Sequence, residues 1–221
     1  MSHSPSRPRQ LPSRPDDERT RRERIAALCV EGWRLWDRFD ATTVERPFHP
    51  FVAADYDVVR EALLPHPGEG RRFLEWGSAT GVITIMADLL GYEAFGIELD
   101  GNLTTVAQEL ATQFDSGARF VTGSFLPAGY TWRSGNGDTR TGTLGQGRSG
   151  YQELGMPLDD FEVVFGYPWD GEIATMLDLM HRHGHEDALL LINSLSDGVV
   201  GYRSGRVVSP ADWFPGRPSP G

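Results

Sequence analysis

Residues 72–100 read RFLEWGSATGVITIMADLLGYEAFGIELD, and they restrict the fold more than any other stretch of the chain. Phe73, Leu74 and Trp76 form a short apolar run around Glu75, the pattern of a buried strand. The run breaks at Gly77-Ser78-Ala79-Thr80-Gly81, and apolar residues at helical spacing follow as far as Gly91. Residues 94–97 then make a second strand that ends on Glu98. Strand, glycine turn, helix, strand and terminal carboxylate, in that order, are the parts of a nucleotide-binding half-site in an α/β sheet.

Each residue type has a physical task in that pattern. Gly77 and Gly81 let the chain turn sharply and bring backbone close to a ligand that a Cβ would push away. The helix that follows starts with amide groups lacking intrahelical partners, which face the ligand. Glu98 stands 21 positions after Gly77, an interval at which an acid ending the second strand reaches a ribose diol and repels a 2′-phosphate.

The spacing of the turn is acid-x-Gly-x-x-x-Gly, not the G-x-G-x-x-G of nicotinamide-binding domains. It resembles the first motif of the class I S-adenosylmethionine-dependent methyltransferases, (Asp/Glu)-x-Gly-x-Gly-x-Gly, with Ala79 at the middle glycine, and the resemblance extends over residues 55–194. It implies an α/β fold: a doubly wound, mostly parallel sheet with helices on both faces, and S-adenosyl-L-methionine as cofactor. It also implies that Glu75 supports the methionyl end. Gly77, Ser78, Ala79 and Gly81 would pack along the cofactor, and Glu98 would take the ribose hydroxyls with Leu99 beside it. After a third strand at residues 118–121 the family commonly places an acid on the adenine amino group. Ser124 and Phe125 stand there in this chain, Phe125 either covering the adenine or filling the core.

A fourth strand at residues 161–165 runs into Tyr167-Pro168-Trp169-Asp170. In a doubly wound sheet the ligand crevice opens where the first and fourth strands part, so this loop faces the glycine turn. Amino-group methyltransferases of nucleic acids carry Asn/Asp-Pro-Pro-aromatic at this place, whereas Tyr167 replaces the amide or acid here. An aromatic wall of Tyr167, Pro168 and Trp169 beside Asp170 and Glu172 suits an apolar or cationic small substrate, and Trp169 as plain core filling is the competing reading. Methyl transfer chiefly needs its reactants held in line. Asp170, Glu172 and His49, a histidine between prolines before the first strand, are therefore acid/base candidates by location alone.

The remaining organisation follows from composition. Residues 1–16 are expected to be a disordered tail, and residues 17–66 a helical segment with Ile25, Leu28, Cys29, Gly32, Leu35, Trp36 and Phe39 on one face. Residues 67–209 form the main domain, interrupted at 127–157 by a flexible loop with eight glycines. A short antiparallel hairpin around Ser204-Gly205 closes the sheet, and residues 210–221 are expected to be loose. The net charge of −10 argues against a nucleic-acid groove, and the absence of lysine among the 21 cations excludes Schiff-base chemistry. Cys29, the lone cysteine, and the histidines 181, 183 and 185 at a helix end leave no metal set with ligand spacing. No apolar run is long enough for a bilayer, so a soluble cytoplasmic protein with a small-molecule substrate is expected. Two readings stay open beside methyl transfer: a non-catalytic cofactor-binding or scaffolding protein, and a NAD-dependent oxidoreductase.

Overall fold

The computed structural model describes residues 15–43, 52–132, 147–169 and 171–214. Five parallel strands, β1 (Arg72–Trp76), β2 (Glu93–Glu98), β3 (Arg119–Thr122), β4 (Val163–Gly166) and β5 (Leu189–Ser194), are followed by β6 (Gly198–Arg203) and β7 (Arg206–Val208), which pair antiparallel. The strand order is β3-β2-β1-β4-β5-β6-β7. The chain winds outward from β1 to β3, returns to the other side of β1, and winds out again from β4. The C-terminal ends of β1 and β4 therefore flank the point at which the order reverses.

Alternation along the strands divides the interior in two. Phe73 joins Ala94, Val163, Phe165 and Leu191 on the face covered by α1 (Pro15–Thr43), α2 (Tyr56–Leu63), α3 (Val82–Leu89) and α4 (Gly101–Gln113). Leu74 and Trp76 join Phe95, Ile97, Val164 and Leu190 on the face covered by α5 (Gly150–Leu154) and α6 (Ile173–His183). Both faces being covered, the central strands read as nearly continuous apolar runs.

The expected N-terminal stripe is the inner face of α1: Ile25, Leu28 and Cys29 are buried, and Leu35, Trp36 and Phe39 pack at its margin. Gly32 lets α1 lie against its neighbours, since a Cβ there would sit 2.8 Å from Tyr56 and from Val82. Asp55 caps α2 by accepting from the amides of Asp57 (3.0 Å) and Val58 (3.2 Å). Val58 faces out, and Tyr56, Val59 and Leu63 carry the burial.

Two expectations are corrected. Residues 127–157 do not form a structureless loop throughout: α5 is a one-turn crossover helix. It is fixed because Gly150 sits where a Cβ would be 2.7 Å from Ile97, and because Trp76 Nε1 donates to the buried Tyr151 hydroxyl at 2.7 Å. Nor are residues 209–214, which follow β7, loose. Residues Pro210–Asp212 form a 3₁₀ turn that buries Trp213 over Gly201, where Arg203 donates to the carbonyls of Asp212 (3.1 Å) and Trp213 (2.6 Å). The predicted hairpin forms, with Ser204 (φ 48°) and Gly205 (φ 73°) both left-handed, as a two-residue turn of matching twist requires. The tail at 1–14, His49, the loop centre at 133–146, Asp170 and residues 215–221 lie outside the described residues.

Candidate functional site

A cavity of about 710 Å³ lies at the C-terminal ends of β1 and β4. Its floor is the glycine turn. The amides of Gly77 (2.9 Å) and Ser78 (3.1 Å) both donate to the Ile97 carbonyl, and the Gly81 amide closes the turn on the Ser78 carbonyl at 2.7 Å. Gly77 (φ 69°), Ala79 (φ 45°) and Gly81 (φ 79°) alternate in the left-handed region. A Cβ on Gly77 would meet nothing within 4 Å, whereas one on Gly81 would strike Phe120 and Ala107. Conformation alone thus selects glycine at 77, and conformation and packing together select it at 81. Gly96, in mid-β2, escaped sequence reasoning, although an isolated glycine in an apolar strand signals close approach. A Cβ there would lie 2.6 Å from Ser78 Oγ, so Gly96 is what seats the turn on the sheet.

Two carboxyl groups border the turn. Glu98 is oriented by backbone, its Oε2 accepting from Ala79 N (2.8 Å) and its Oε1 from Asp100 N (2.9 Å). Burial pushes its carboxyl above the ordinary range, and these amides oppose the shift. Glu75 is 5% exposed, and its Oε2 accepts from the amide (2.9 Å) and hydroxyl of Thr84 in α3. Burial pushes the Glu75 carboxyl up to about 8, against the pull of Thr84 and with Glu98 adding to the rise. Of the first α3 amides, expected to face a ligand, that of Thr84 is instead committed to Glu75.

The other predicted residues divide between two walls. Leu99, Gly123, Ser124 and Phe125 line one side. Phe125 stacks on Trp76 (5.5 Å, 23°), and Ser124 Oγ accepts from Leu126 N at 3.1 Å. Tyr167, Pro168, Trp169 and Glu172 line the opposite side. There the buried Glu172 takes the Trp169 amide at 2.9 Å and returns its own amide to the Trp169 carbonyl at 3.0 Å, which holds the loop in shape. His49 and Asp170 lie outside the described residues. The structure adds Val52, Ala54 and Tyr56 ahead of and within α2, and Ser194, Leu195, Ser196 and Asp197 from the β5–β6 turn. The hairpin around Ser204-Gly205 was anticipated, but nothing local marked the turn ahead of its first strand as a cavity wall.

The cavity is acidic. Glu75, Glu98, Glu172 and Asp197 border it, and no Arg or His lines it among the described residues. No group of three metal-ligating side chains forms among those residues either. Cys29 is buried away from the cavity under α1, and burial pushes its thiol up to about 11. No helix among the described residues is long and apolar enough to cross a membrane.

No family model matches the chain. Over 104 residues it is 29% identical to the ribosomal protein L11 methyltransferase of Thermus thermophilus, covering 46% of this chain and 41% of that protein. The chain thus spans less than half of that relative's length. Among solved structures it is similar to an RNA methyltransferase from Salinibacter ruber bound to S-adenosyl-L-homocysteine, with a TM-score of 0.47, 17% identity, and 64% and 76% of the two chains covered. It is also similar to a TehB-like SAM-dependent methyltransferase from Corynebacterium glutamicum, with a TM-score of 0.42, 15% identity, and 83% and 77% covered. By strand order, glycine turn and the sequence similarity, this chain has the class I methyltransferase-like fold.

Proposed function

We propose that the chain binds S-adenosyl-L-methionine on the glycine turn and directs methyl transfer to an acceptor without phosphate, a neutral or cationic small molecule. The observation that carries this reading is Glu98. Its carboxylate borders the cavity at the end of β2 and is oriented there by the backbone amides of Ala79 and Asp100, as an acceptor for the ribose hydroxyls must be. The chain's residues fit the cofactor: Gly77 presents no side chain to the cavity, Leu99 and Phe125 offer flanks for a flat base, and among the described residues no Arg or His lines the cavity to oppose a sulfonium. The volume falls in the range of small-ligand sites.

When bound, the cofactor supplies a methyl group on a positively charged sulfur, ready for direct displacement. The chain's part is to hold the acceptor in line and keep water out. Tyr167, Pro168 and Trp169 orient the acceptor by stacking, and Glu172 is the carboxylate that takes its proton or pairs with its charge. Asp170 and His49 stay secondary candidates for the same proton. The acidic lining disfavours a phosphodiester chain as acceptor, and the charged partners that remain are amines.

The Thermus relative is by its name a methyltransferase of a ribosomal protein. A protein amine reaching the same wall is therefore the second reading. Calorimetry with S-adenosyl-L-methionine tests the cofactor assignment. Glu98→Ala is expected to weaken binding by about 1 to 3 kcal/mol, the cost of leaving ligand hydroxyls unpaired, and unchanged affinity overturns it. Incubation with labelled donor, against a metabolite fraction and against ribosomal proteins, separates the two acceptor classes. Binding without transfer to either fraction favours a non-catalytic cofactor-binding protein.

A further inference from the structure

We infer that the acceptor is an amphiphilic amine, a nitrogen cation on an apolar body, and that Leu195 and Asp197 of the β5–β6 turn select it. The inference rests on the proposed function and narrows its acceptor from any neutral or cationic small molecule to this class.

The large apolar side chains exposed among the described residues are Val30, Trp33, Val52, Val58, Leu195 and Val207. Val207 belongs to the edge strand β7, and the others come together where α1, α2 and the β5–β6 turn border the cavity. Val52 and Leu195 line the cavity itself. The Trp33 ring meets that of Tyr56, another lining residue, at 5.0 Å, and Val30 precedes it by one turn of α1. Val58 flanks the far end of the turn, since a Cβ on Gly198 would lie 3.4 Å from it. Exposed apolar surface gathered on one rim, where chance would scatter it, marks a place that a ligand covers.

Leu195 is the extreme case, at 94% exposure. Two residues on, Asp197 Oδ2 accepts from the hydroxyls of Ser196 (2.6 Å) and Ser194 (3.3 Å), so one turn offers the cavity both a positioned carboxylate and bare hydrocarbon. Glu172 adds a second carboxyl from the loop after β4, and no Arg or His lines the cavity among the described residues. An anionic acceptor is repelled by that lining. A peptide laid across the rim would press its backbone amides on the side chains of Val52 and Leu195, which offer them no hydrogen-bond partner. An ammonium among the acids, with hydrocarbon running out over Leu195, satisfies both halves.

Calorimetric titration of the full chain, saturated with S-adenosyl-L-homocysteine near pH 7, with butylamine, hexylamine and octylamine reads the apolar half. Affinity is expected to rise about twofold per added methylene, as for hydrocarbon half covered by protein. Octanoate, of the same length and opposite charge, is expected to bind about tenfold more weakly than octylamine. Leu195→Ser is expected to lower the octylamine affinity about fivefold and the butylamine affinity much less, and Asp197→Asn to weaken all of the amines alike. An affinity that does not grow with chain length, or octanoate binding as tightly as octylamine, overturns the inference. Binding of S-adenosyl-L-homocysteine with no amine bound overturns it and leaves the cofactor reading standing, and methylation of a ribosomal protein by that same protein sample moves the acceptor to the protein amine. Failure of S-adenosyl-L-homocysteine and the amines alike overturns the inference and the cofactor reading together.

Discussion

Thr84 and Glu75 show how far one buried carboxyl can set the pH response of a fold. The Glu75 carboxyl is raised from 4.5 to about 8, with burial as the largest cause. Between those values the folded chain holds a proton that the unfolded chain has lost. The unfolded state binds fewer protons there, so stability falls as pH rises, by about 1.4 kcal/mol per pH unit at the steepest. Urea midpoints of the wild-type protein are expected to drop between pH 6 and pH 8, and those of Glu75→Gln to drop less. Equal slopes in the two proteins would place the titration elsewhere. That Glu75, Gly77 and Glu98 would border one cavity was legible in the sequence because spacing along one βαβ unit sets their places. Thr84 was not, since its hydroxyl matters only through the fold, which sets it against Glu75 nine positions earlier.

The glycine turn orders its substitutions as an element. Ala79 occupies a left-handed conformation that costs a side chain about 1 kcal/mol. Ala79→Gly removes that strain and adds a comparable unfolded-state entropy, so a net change within about 0.5 kcal/mol is expected. Gly77→Ala, at φ 69° and with open space around its new Cβ, is expected to cost about 1 to 2 kcal/mol and to intrude on the cofactor. Gly81→Ala combines φ 79° with overlap on Phe120 and Ala107 and is expected to be the most damaging. Thermal denaturation of the three variants reads that ranking, and a Gly81→Ala protein as stable as wild type refutes the packing argument. Strand and helix order was legible because apolar periodicity is a local signal. The crossover helix α5 was not, because Gly150 and Tyr151 owe their places to Ile97 and Trp76 across the sheet, contacts that leave no periodic trace among flanking glycines.

At the scale of the molecule, residues 209–214 are structural. Trp213 is 1% exposed, lies over Gly201 and meets the His66 ring at 5.1 Å. Trp213→Ala is expected to cost about 3 to 5 kcal/mol in denaturant unfolding, whereas a loosely attached tail would tolerate it. The sequence pointed to a loose end because Pro210, Ser209 and the prolines beyond read as breakers. A single tryptophan carries no periodicity to contradict them. Trp213 braces β6, the strand that follows the turn at residues 194–197, and that turn forms the far wall of the cavity. During synthesis the floor laid down by β1 and β2 precedes that brace by more than a hundred residues. A nascent chain stalled short of Trp213 therefore owns the floor of the cavity with no doorpost opposite, and the entrance is framed only long after its floor.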